Sequence, residues 1–364
     1  MQKKLIALAV AGLVAAPAFA ATSNVDVYGQ LDFSVNYVNG DVTGACPTNC
    51  DDSDMVTGKS NASRIGFKGS EDLGGGMKAL WQVETEFLSG SNNNTATYGS
   101  LRNTFVGLGG GFGTVLMGRH DTPYKLATGK LDIFADSIGD YNAIIGAEDG
   151  VFGSSVFDLR VDQTVAYITP TFSGFHGAIA YVSLKTNEPA AADKDQDAWS
   201  VMGMYDNSPL FASVAYEVHN GMVAAGTTVD ADAWKVGLGY TFGNAKIGAI
   251  YESQSEGGAA ATATDHSAWW LGGQYTMGNI VLKGAYGNRD DSDVAGADDG
   301  GEMWALGVDY NLSKRTKAYI IYASTDNDTA GNTVLFGTDA TNNGTGFTAG
   351  NSASIWSVGV RHSF

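Results

Sequence analysis

The chain has 364 residues, a length that suggests two or three soluble domains, but only 16% of them are charged, against about 25% in a typical soluble domain. With 49 glycines, 6 prolines and 11% aromatic residues, the composition excludes a disordered chain, a disulfide scaffold and a coiled coil. Acidic residues outnumber basic ones by 39 to 21, giving a net charge of −18, and no basic run exceeds two residues. This argues against a nucleic-acid partner, because phosphate binding requires basic clusters.

The N-terminus has the pattern of a secretory signal peptide. Two lysines precede an apolar run over 5–16, and small residues at positions 18 and 20 form a cleavage pattern. The run is too short and wrongly flanked for a stop-transfer helix, although an uncleaved anchor is the alternative. We expect 1–20 to be a cleaved signal peptide and 21–364 to form one exported domain. No later stretch is long and apolar enough to predict a membrane helix.

From residue 25 onward, apolar and polar residues alternate with a period of two. In the first segment the odd positions from Val25 to Tyr37 are mainly apolar and the even positions mainly polar. The same split recurs in 77–87 and from Trp356 to Phe364. Sixteen such segments occur, and each predicts a β-strand with one apolar and one polar face.

Aromatic residues recur at a fixed spacing in four of these segments. Four tryptophans lie 35 residues apart, and each is followed six residues later by a tyrosine: Trp199, Trp234, Trp269 and Trp304, with Tyr205, Tyr240, Tyr275 and Tyr310. Six is even, so both rings share a face, about 20 Å apart along the strand. Two aromatic belts on an apolar face are typical of a barrel in a bilayer. A soluble sandwich core is the alternative, but it does not require this fixed offset.

Short turns and long polar loops alternate between the segments. The long loops are expected at 39–62, 88–100, 120–159, 183–197, 219–231, 253–266, 288–301 and 324–353. A closed barrel with an even number of strands leaves no unpaired edge in lipid, and sixteen strands enclose a lumen too wide for side chains to fill. The sequence therefore predicts an all-β fold: a transmembrane antiparallel β-barrel of 16 strands, with long extracellular loops, short periplasmic turns and an aqueous channel.

Short motifs occur in order along these segments: VDVYG at 25–29, SRIGFKGSEDLG at 63–74, GFG at 111–113 leading to GR at 118–119, and VGVRHSF at 358–364. Together they resemble the general diffusion porins of the Gram-negative outer membrane, of the beta-proteobacterial and neisserial type. The resemblance implies an outer-membrane homotrimer for passive diffusion of small hydrophilic solutes and ions, with a third loop folded into the pore. It also implies that Phe364 is read by the barrel assembly machinery, although Phe364 also fits a simple girdle aromatic.

Charged residues on the lumen-facing parity are candidates for the narrowest part of the channel. They are Arg64, Arg102, Arg160, Lys68, Lys78, Glu84 and Glu86. By resemblance, the three arginines occupy positions where related porins place basic residues at the constriction, where a charged ring sets ion preference. The alternative is that they pair with neighbouring lumen acids such as Asp162. Arg119 has the parity of the apolar face unless a bulge intervenes.

The segment 120–159 is the longest and is the candidate constriction loop. Its acidic residues are Asp132, Asp136, Asp140, Glu148 and Asp149. Apolar neighbours such as Phe134 and Ile144 need burial, which a loop packed inside the barrel provides. Loop carboxylates facing wall arginines would produce a transverse field that orients dipolar solutes, while the sign of ion selectivity stays open.

Most of the acidic excess lies in the long loops. Carboxylates next to anionic lipopolysaccharide would repel it unless Mg²⁺ or Ca²⁺ bridges them, so structural divalent cations are a hypothesis. Asp291, Asp293 and Glu302 match part of a Ca²⁺-loop template, but Ala295 breaks the pattern and no helices flank it. A solvated acidic loop is the alternative, and no other cofactor is expected.

The two cysteines, Cys46 and Cys50, fall in the first long loop. In an exported protein this spacing favours a small disulfide over a metal site, because two ligands hold a metal poorly.

No catalytic motif is present: the five histidines are scattered, and Gly-x-Ser-x-Gly, Cys-x-x-Cys and nucleotide-binding patterns are absent. An enzyme is therefore not expected. A substrate-specific channel and a mainly adhesive or structural surface barrel are the alternatives to a general channel.

Overall fold

The computed structural model describes residues 24–40, 55–87, 98–146, 157–183, 196–224, 227–256, 264–331 and 352–364, with 333, 335 and 350. The strands within these residues are β1 (Asn24–Gly40), β2 (Met55–Ser60), β3 (Arg64–Gly74), β4 (Met77–Phe87), β5 (Tyr98–Leu101), β6 (Thr104–Gly110), β7 (Gly113–Asp121), β8 (Arg160–Ile168), β9 (Phe175–Ser183), β10 (Asp197–Asn207), β11 (Leu210–Ala224), β12 (Thr227–Phe242), β13 (Ala245–Glu256), β14 (Thr264–Met277), β15 (Ile280–Arg289), β16 (Gly301–Asn311), β17 (Thr316–Asn327) and β18 (Ala353–Ser363).

The strands form one antiparallel sheet that closes on itself, because β18 pairs with β1. Two spans are interrupted. β2 and β3 both pair with β1, β2 opposite 33–38 and β3 opposite 24–30, and β5 and β6 both pair with β4. The eighteen described strands therefore make sixteen spans, and the predicted 16-strand antiparallel barrel is confirmed.

The barrel wall has an apolar outer face and a polar inner face. On β1, Phe33 and Val35 are exposed, whereas the polar Asp32, Ser34 and Asn36 between them are buried. This inverts the pattern of a soluble protein. It follows from a sheet whose outer face meets lipid and whose inner face meets other polar groups.

Both predicted aromatic belts lie on the outer face. Trp199 is 47% exposed and Tyr310 48% exposed. The tryptophans pack against tyrosines of the neighbouring strands: the ring centroids of Trp199 and Tyr181 lie 5.0 Å apart, and those of Trp304 and Tyr322 lie 4.8 Å apart. Amphipathic rings at two levels of the outer face are what the two bilayer interfaces select.

The described residues include no helix long and apolar enough to span a membrane.

The connection between β7 and β8 is hereafter called the inner loop, and its described residues, 122–146 and 157–159, lie inside the barrel. It carries the short helix α1 (Pro123–Thr128), capped by the Thr122 hydroxyl, and a 3-10 helix (Tyr141–Ala143). Its apolar side chains form the main buried cluster together with inward residues of the wall, so the hydrophobic core lies between loop and wall. Wall glycines make room for it. A Cβ at Gly307 would lie 2.8 Å from the Phe134 ring.

Several predictions fall outside the described residues. They concern the signal peptide 1–20, the disulfide between Cys46 and Cys50, and the loop acids Glu148 and Asp149. These stay predictions.

We expect Gly359→Ala to destabilise the barrel by about 1–3 kcal/mol, the usual cost of overpacking. A Cβ at Gly359 would lie 2.3 Å from the hydroxyl oxygen of Tyr319, which donates to Asp32 Oδ1 at 2.7 Å. The measurement is the temperature at which the folded band disappears in gel electrophoresis. Gly203→Ala is the control, because its nearest neighbour would be 3.9 Å away. Equal midpoints for both variants would contradict the expectation.

Candidate functional site

The wall is irregular at one level of the barrel, and the candidate arginines lie there. Arg64 follows a break at Ala62, whose φ of 50° is in the left-handed region, and Arg102 lies between β5 and β6. A bulge on β8 lies between Val161 and Thr164, which pair with His120 and Gly118 of β7. Because a bulge adds one residue to a strand, it changes which side chains face the lumen.

Strand pairing places these positions side by side around the wall. Arg64 lies opposite Glu86 on β4, and Arg160 on β8 lies opposite Asp121 on β7. The residues of this level, hereafter the constriction row, are Arg64, Arg102, Arg119, Arg160, Glu84, Glu86, Asp121 and Asp162.

Arg102 is held by two carboxylates of β4. Its Nε lies 2.6 Å from Glu84 Oε1, and its Nη1 lies 3.2 Å from Glu86 Oε2. The Tyr28 hydroxyl donates to the other oxygen of Glu84 at 2.8 Å. The guanidinium is therefore fixed in position and its charge is locally compensated.

The arginine of β7 and the arginine of β8 also have carboxylate partners. Arg160 Nη2 lies 3.0 Å from Asp121 Oδ1, and its Nε donates to Asn103 Oδ1 at 2.9 Å. Arg119 Nη1 lies 3.2 Å from Asp162 Oδ1. The β8 bulge adds a residue next to Asp162, the partner of Arg119.

The inner loop reaches the constriction row through Asp136. Arg64 Nη1 lies 3.0 Å from Asp136 Oδ2. Next to it, Arg361 pairs with Asp32 and donates from Nη2 to the carbonyl of Ala135 at 3.1 Å. Residues 135 and 136 of the loop are thus bound to two wall arginines, Arg64 and Arg361.

Three cations on β15, β17 and β18 belong to this region although the sequence analysis did not select them as pore residues. They are Arg361, Lys283 and Lys317. Lys283 Nζ and Lys317 Nζ each lie 2.7 Å from Asp309 Oδ2, and Lys283 also donates to the carbonyl of Ile133 at 3.0 Å. All three occupy positions whose side chains alternate toward the inside of the barrel. This alternation in the sequence is the signal from which they could have been predicted.

The acids of the inner loop have different surroundings. Asp132 accepts from the backbone N–H of Phe134 at 2.8 Å, and Asp140 from that of Asn142 at 2.9 Å. Burial raises the pKa of both carboxyls, and for Asp132 the nearby Asp140 raises it further. Burial would also raise the pKa of Asp136, but the guanidinium groups of Arg64 and Arg361 hold it below its usual value. Of these three acids, Asp136 is the one that forms an ion pair with an arginine of the wall.

Both ends of the inner loop are fastened to β12 and β13. Asp158 forms an ion pair with the fully buried Lys235 and accepts from the Tyr141 hydroxyl at 3.0 Å. The buried Glu252 accepts from the Tyr124 hydroxyl at 2.8 Å and from the Gly146 N–H at 2.7 Å. Removing one member of such a buried set leaves the other uncompensated.

These contacts divide the lumen. The described part of the loop packs on strands from β10 to β18, where it meets Ser200, Lys235, Glu252 and Arg361. The wall from β3 to β8 bears the constriction row, and Asp136 approaches it at Arg64. The opening therefore lies off the barrel axis, between the described part of the loop and the wall from β3 to β8. This side of the barrel is hereafter the open wall.

The two lysines of the sequence prediction lie on the open wall, on the short-turn side of the constriction row. Lys68 Nζ lies 5.0 Å from the centre of the Tyr28 ring. Lys78 is exposed and lies opposite Asp72, close to the turn between β3 and β4.

The acidic loop after β15 does not assemble the three expected ligands. Asp291 has carboxylate oxygens within 4.8 Å of those of Asp298 and Asp328 instead. Glu302 accepts from the Tyr286 hydroxyl on the neighbouring strand. The carboxylates that come together in the structure therefore differ from those of the Ca²⁺-loop template in the sequence.

A closed barrel with a lipid-compatible outer face, a loop folded across its lumen and a charged row beside the remaining opening defines an outer-membrane porin. Residues 7–332 match the Gram-negative porin family, and the chain belongs to it. The barrel is accordingly located in the outer membrane.

Individual relatives agree with this assignment. The chain is 36% identical over 219 residues, 59% of each protein, to outer membrane porin protein 32 of Delftia acidovorans. It is 32% identical over 231 residues, 59% of this chain and 56% of the relative, to major outer membrane protein P.IB of Neisseria gonorrhoeae. It thus aligns with about three fifths of these relatives' length. A solved anion-selective porin from Comamonas acidovorans superposes with a TM-score of 0.76 at 27% identity, covering 94% of this chain and all of that one.

We predict that Asp158→Asn loosens the inner loop, because it leaves the buried Lys235 ammonium without its counter-ion, at a cost of about 3–5 kcal/mol. The measurement is the rate at which protease cleaves the loop in the purified protein. A second substitution, Lys235→Met, removes the unpaired charge and is expected to restore part of the protection. Wild-type protection in the single variant would contradict this account of the loop.

We also predict that anion preference increases as the pH falls below about 4, the usual pKa of an aspartate. Because the pKa of Asp136 is lowered, its ion pair with Arg64 is intact above that value and is lost as the pH falls through the lowered pKa. Protonation then leaves Arg64 uncompensated. The reversal potential in a salt gradient measures the change, and Asp136→Asn should show it already at neutral pH. A wild-type potential in that variant would rule the mechanism out.

Proposed function

We propose that the protein forms a water-filled channel for passive diffusion of small hydrophilic solutes and ions across the outer membrane. The observation that carries the proposal is the off-axis opening between the inner loop and the open wall, beside the constriction row. Sixteen strands enclose an aqueous lumen, and the loop narrows it. Family membership supports a channel and no enzymatic activity.

We infer weak ion selectivity for this opening. The arginines of the constriction row and Arg361 each have a carboxylate partner, and Lys283 and Lys317 share one. In each pair the arginine or lysine attracts anions and the neighbouring carboxylate attracts cations. Because the two groups are close together, their effects on ion selectivity largely cancel. The relative from Comamonas is an anion-selective porin; this chain would show a smaller anion preference.

Other parts of the proposal concern partners. We expect a homotrimer, contact with lipopolysaccharide through divalent cations at the acidic loops, and recognition of Phe364 by the barrel assembly machinery. In support of the last, Phe364 and Gly29 exchange backbone hydrogen bonds of 3.0 and 3.1 Å where the barrel closes. A C-terminal residue at the closing seam is in position for a signal read during assembly.

Conductance in planar bilayers distinguishes this proposal from a specific channel and from an adhesive barrel. Large ohmic steps in groups of three, without saturation by salt, support a trimeric diffusion channel. Saturation by one solute as the only permeant would favour a specific channel, and the absence of any conductance would favour an adhesive or structural barrel.

We predict that Arg102→Glu shifts the reversal potential in a salt gradient toward cations, because a third carboxylate then joins Glu84 and Glu86 on the path. The barrel should keep its gel mobility, since the residue lies outside the apolar core. Arg315→Glu, in an exposed turn between β16 and β17, carries the same change of charge and is the control. If both variants keep the wild-type potential, Arg102 lies off the path of the ions.

A further inference from the structure

A cavity of about 390 Å³ opens on the inner side of the open wall, between the constriction row and the short turns. It lies outside the constriction row and is lined by residues of β1, β3, β4, β6, β7 and β8. Its size falls in the range of about 300–1,000 Å³ that is usual for small-molecule sites. We call it the vestibule cavity.

The floor of the vestibule cavity is apolar, which is unusual for a surface that faces the lumen of a channel. Leu80, Phe105, Leu116 and Ile168 line it. Strand pairing places them on the inner face, because Leu80 lies opposite Gly107, and Gly107 lies opposite Leu116. The neighbouring inward positions of β4 are polar, as the alternation requires. An apolar surface in a wet channel gains free energy when a solute covers it.

The described residues of the inner loop cover other apolar wall residues but leave most of this surface open. The large buried cluster contains loop residues such as Leu131 and Phe134. A second, smaller cluster of Leu116, Ala166 and Ala180, with Phe105 packed against it, contains no described residue of the loop, and Ile168 lies between the two clusters. The apolar floor therefore borders the route that solutes take after the constriction row.

Two opposite charges lie at the edge of the vestibule cavity without pairing. Asp26 and Lys68 are directly opposite each other on β1 and β3, a position from which such residues ordinarily interact. Within the described part of the chain neither forms an ion pair, since the Lys68 ammonium lies over the Tyr28 ring instead. Gln82 lies between these charges and the apolar floor, and its amide N–H donates to the carbonyl of Asn103 at 3.2 Å, which leaves its oxygen as an acceptor.

We propose that the vestibule cavity binds zwitterionic α-amino acids with a large apolar side chain. The ligand carboxylate lies at the Lys68 ammonium, and the ligand ammonium lies at the Asp26 carboxylate. The side chain covers Leu80 and Phe105. A solute with one net charge would meet either Asp26 or Lys68 unfavourably, whereas a zwitterion satisfies both. The inference deepens the proposed channel function by naming a solute class that it retains.

The test uses L-phenylalanine with the purified full-length barrel, first by equilibrium binding and then as a blocker of ion current. We expect saturable binding. Phenylacetate, which lacks the ammonium group, phenethylamine, which lacks the carboxylate, and L-serine, which lacks the ring, should each bind at least about tenfold more weakly, the effect of losing one strong contact. Equal binding of phenylacetate would overturn the zwitterion site.

Variants test the assigned residues. Asp26→Asn and Lys68→Gln should each weaken phenylalanine binding about tenfold, and Leu80→Thr should weaken it without changing the preference for phenylalanine over phenylacetate. Lys314→Gln removes a charge from an exposed turn on the same side of the barrel and should bind as the wild type does. Unchanged binding in both charge variants would overturn the proposal.

The two proposals fail in different ways. If the barrel conducts ions but does not bind phenylalanine, the vestibule site is wrong and the channel stands. If it binds phenylalanine but does not conduct, the site stands as a binding site and the channel is wrong.

Discussion

The whole structure depends on one constraint: in lipid, no backbone N–H or C=O can be left without a hydrogen bond, because water is absent and each unpaired group costs several kcal/mol. A sheet meets this requirement only by closing on itself, which β1 and β18 accomplish. Closure with sixteen spans then creates a lumen that wall side chains cannot fill. The described part of the inner loop and its apolar side chains fill the β10–β18 side of that lumen, so this protein's main hydrophobic core lies inside the barrel, between loop and wall.

Most of the architecture could be predicted from the sequence, because a lipid-facing and a lumen-facing residue alternate at every strand position. This alternation gave the number of spans, and the recurrence of residues such as Trp234 and Tyr240 gave the two belts. The residues 120–159 stood out as the longest loop with apolar residues in need of burial. The alternation, the aromatic spacing and the loop length are all local features of the sequence. Few arrangements other than a regular barrel are consistent with all three.

The details of the site were harder to predict because they arise where the alternation is interrupted. The left-handed Ala62, the break between β5 and β6 at Arg102 and the bulge on β8 leave no clear mark in a period-two pattern. The partners of each arginine depend on register across strands that are distant in sequence. Loop acids of one residue type have pKa values shifted in opposite directions, because burial raises the pKa of Asp132 whereas guanidinium contacts lower that of Asp136.

The division of the lumen has a consequence for how the surface of this protein can change. In the proposed channel, solutes pass along the β3–β8 side, while the β10–β18 side is closed by packed side chains. Extracellular segments above the closed side can accordingly gain or lose residues and charges without altering the field that a solute experiences at the constriction. The outer surface of the barrel can therefore vary while the passage of solutes through it stays the same.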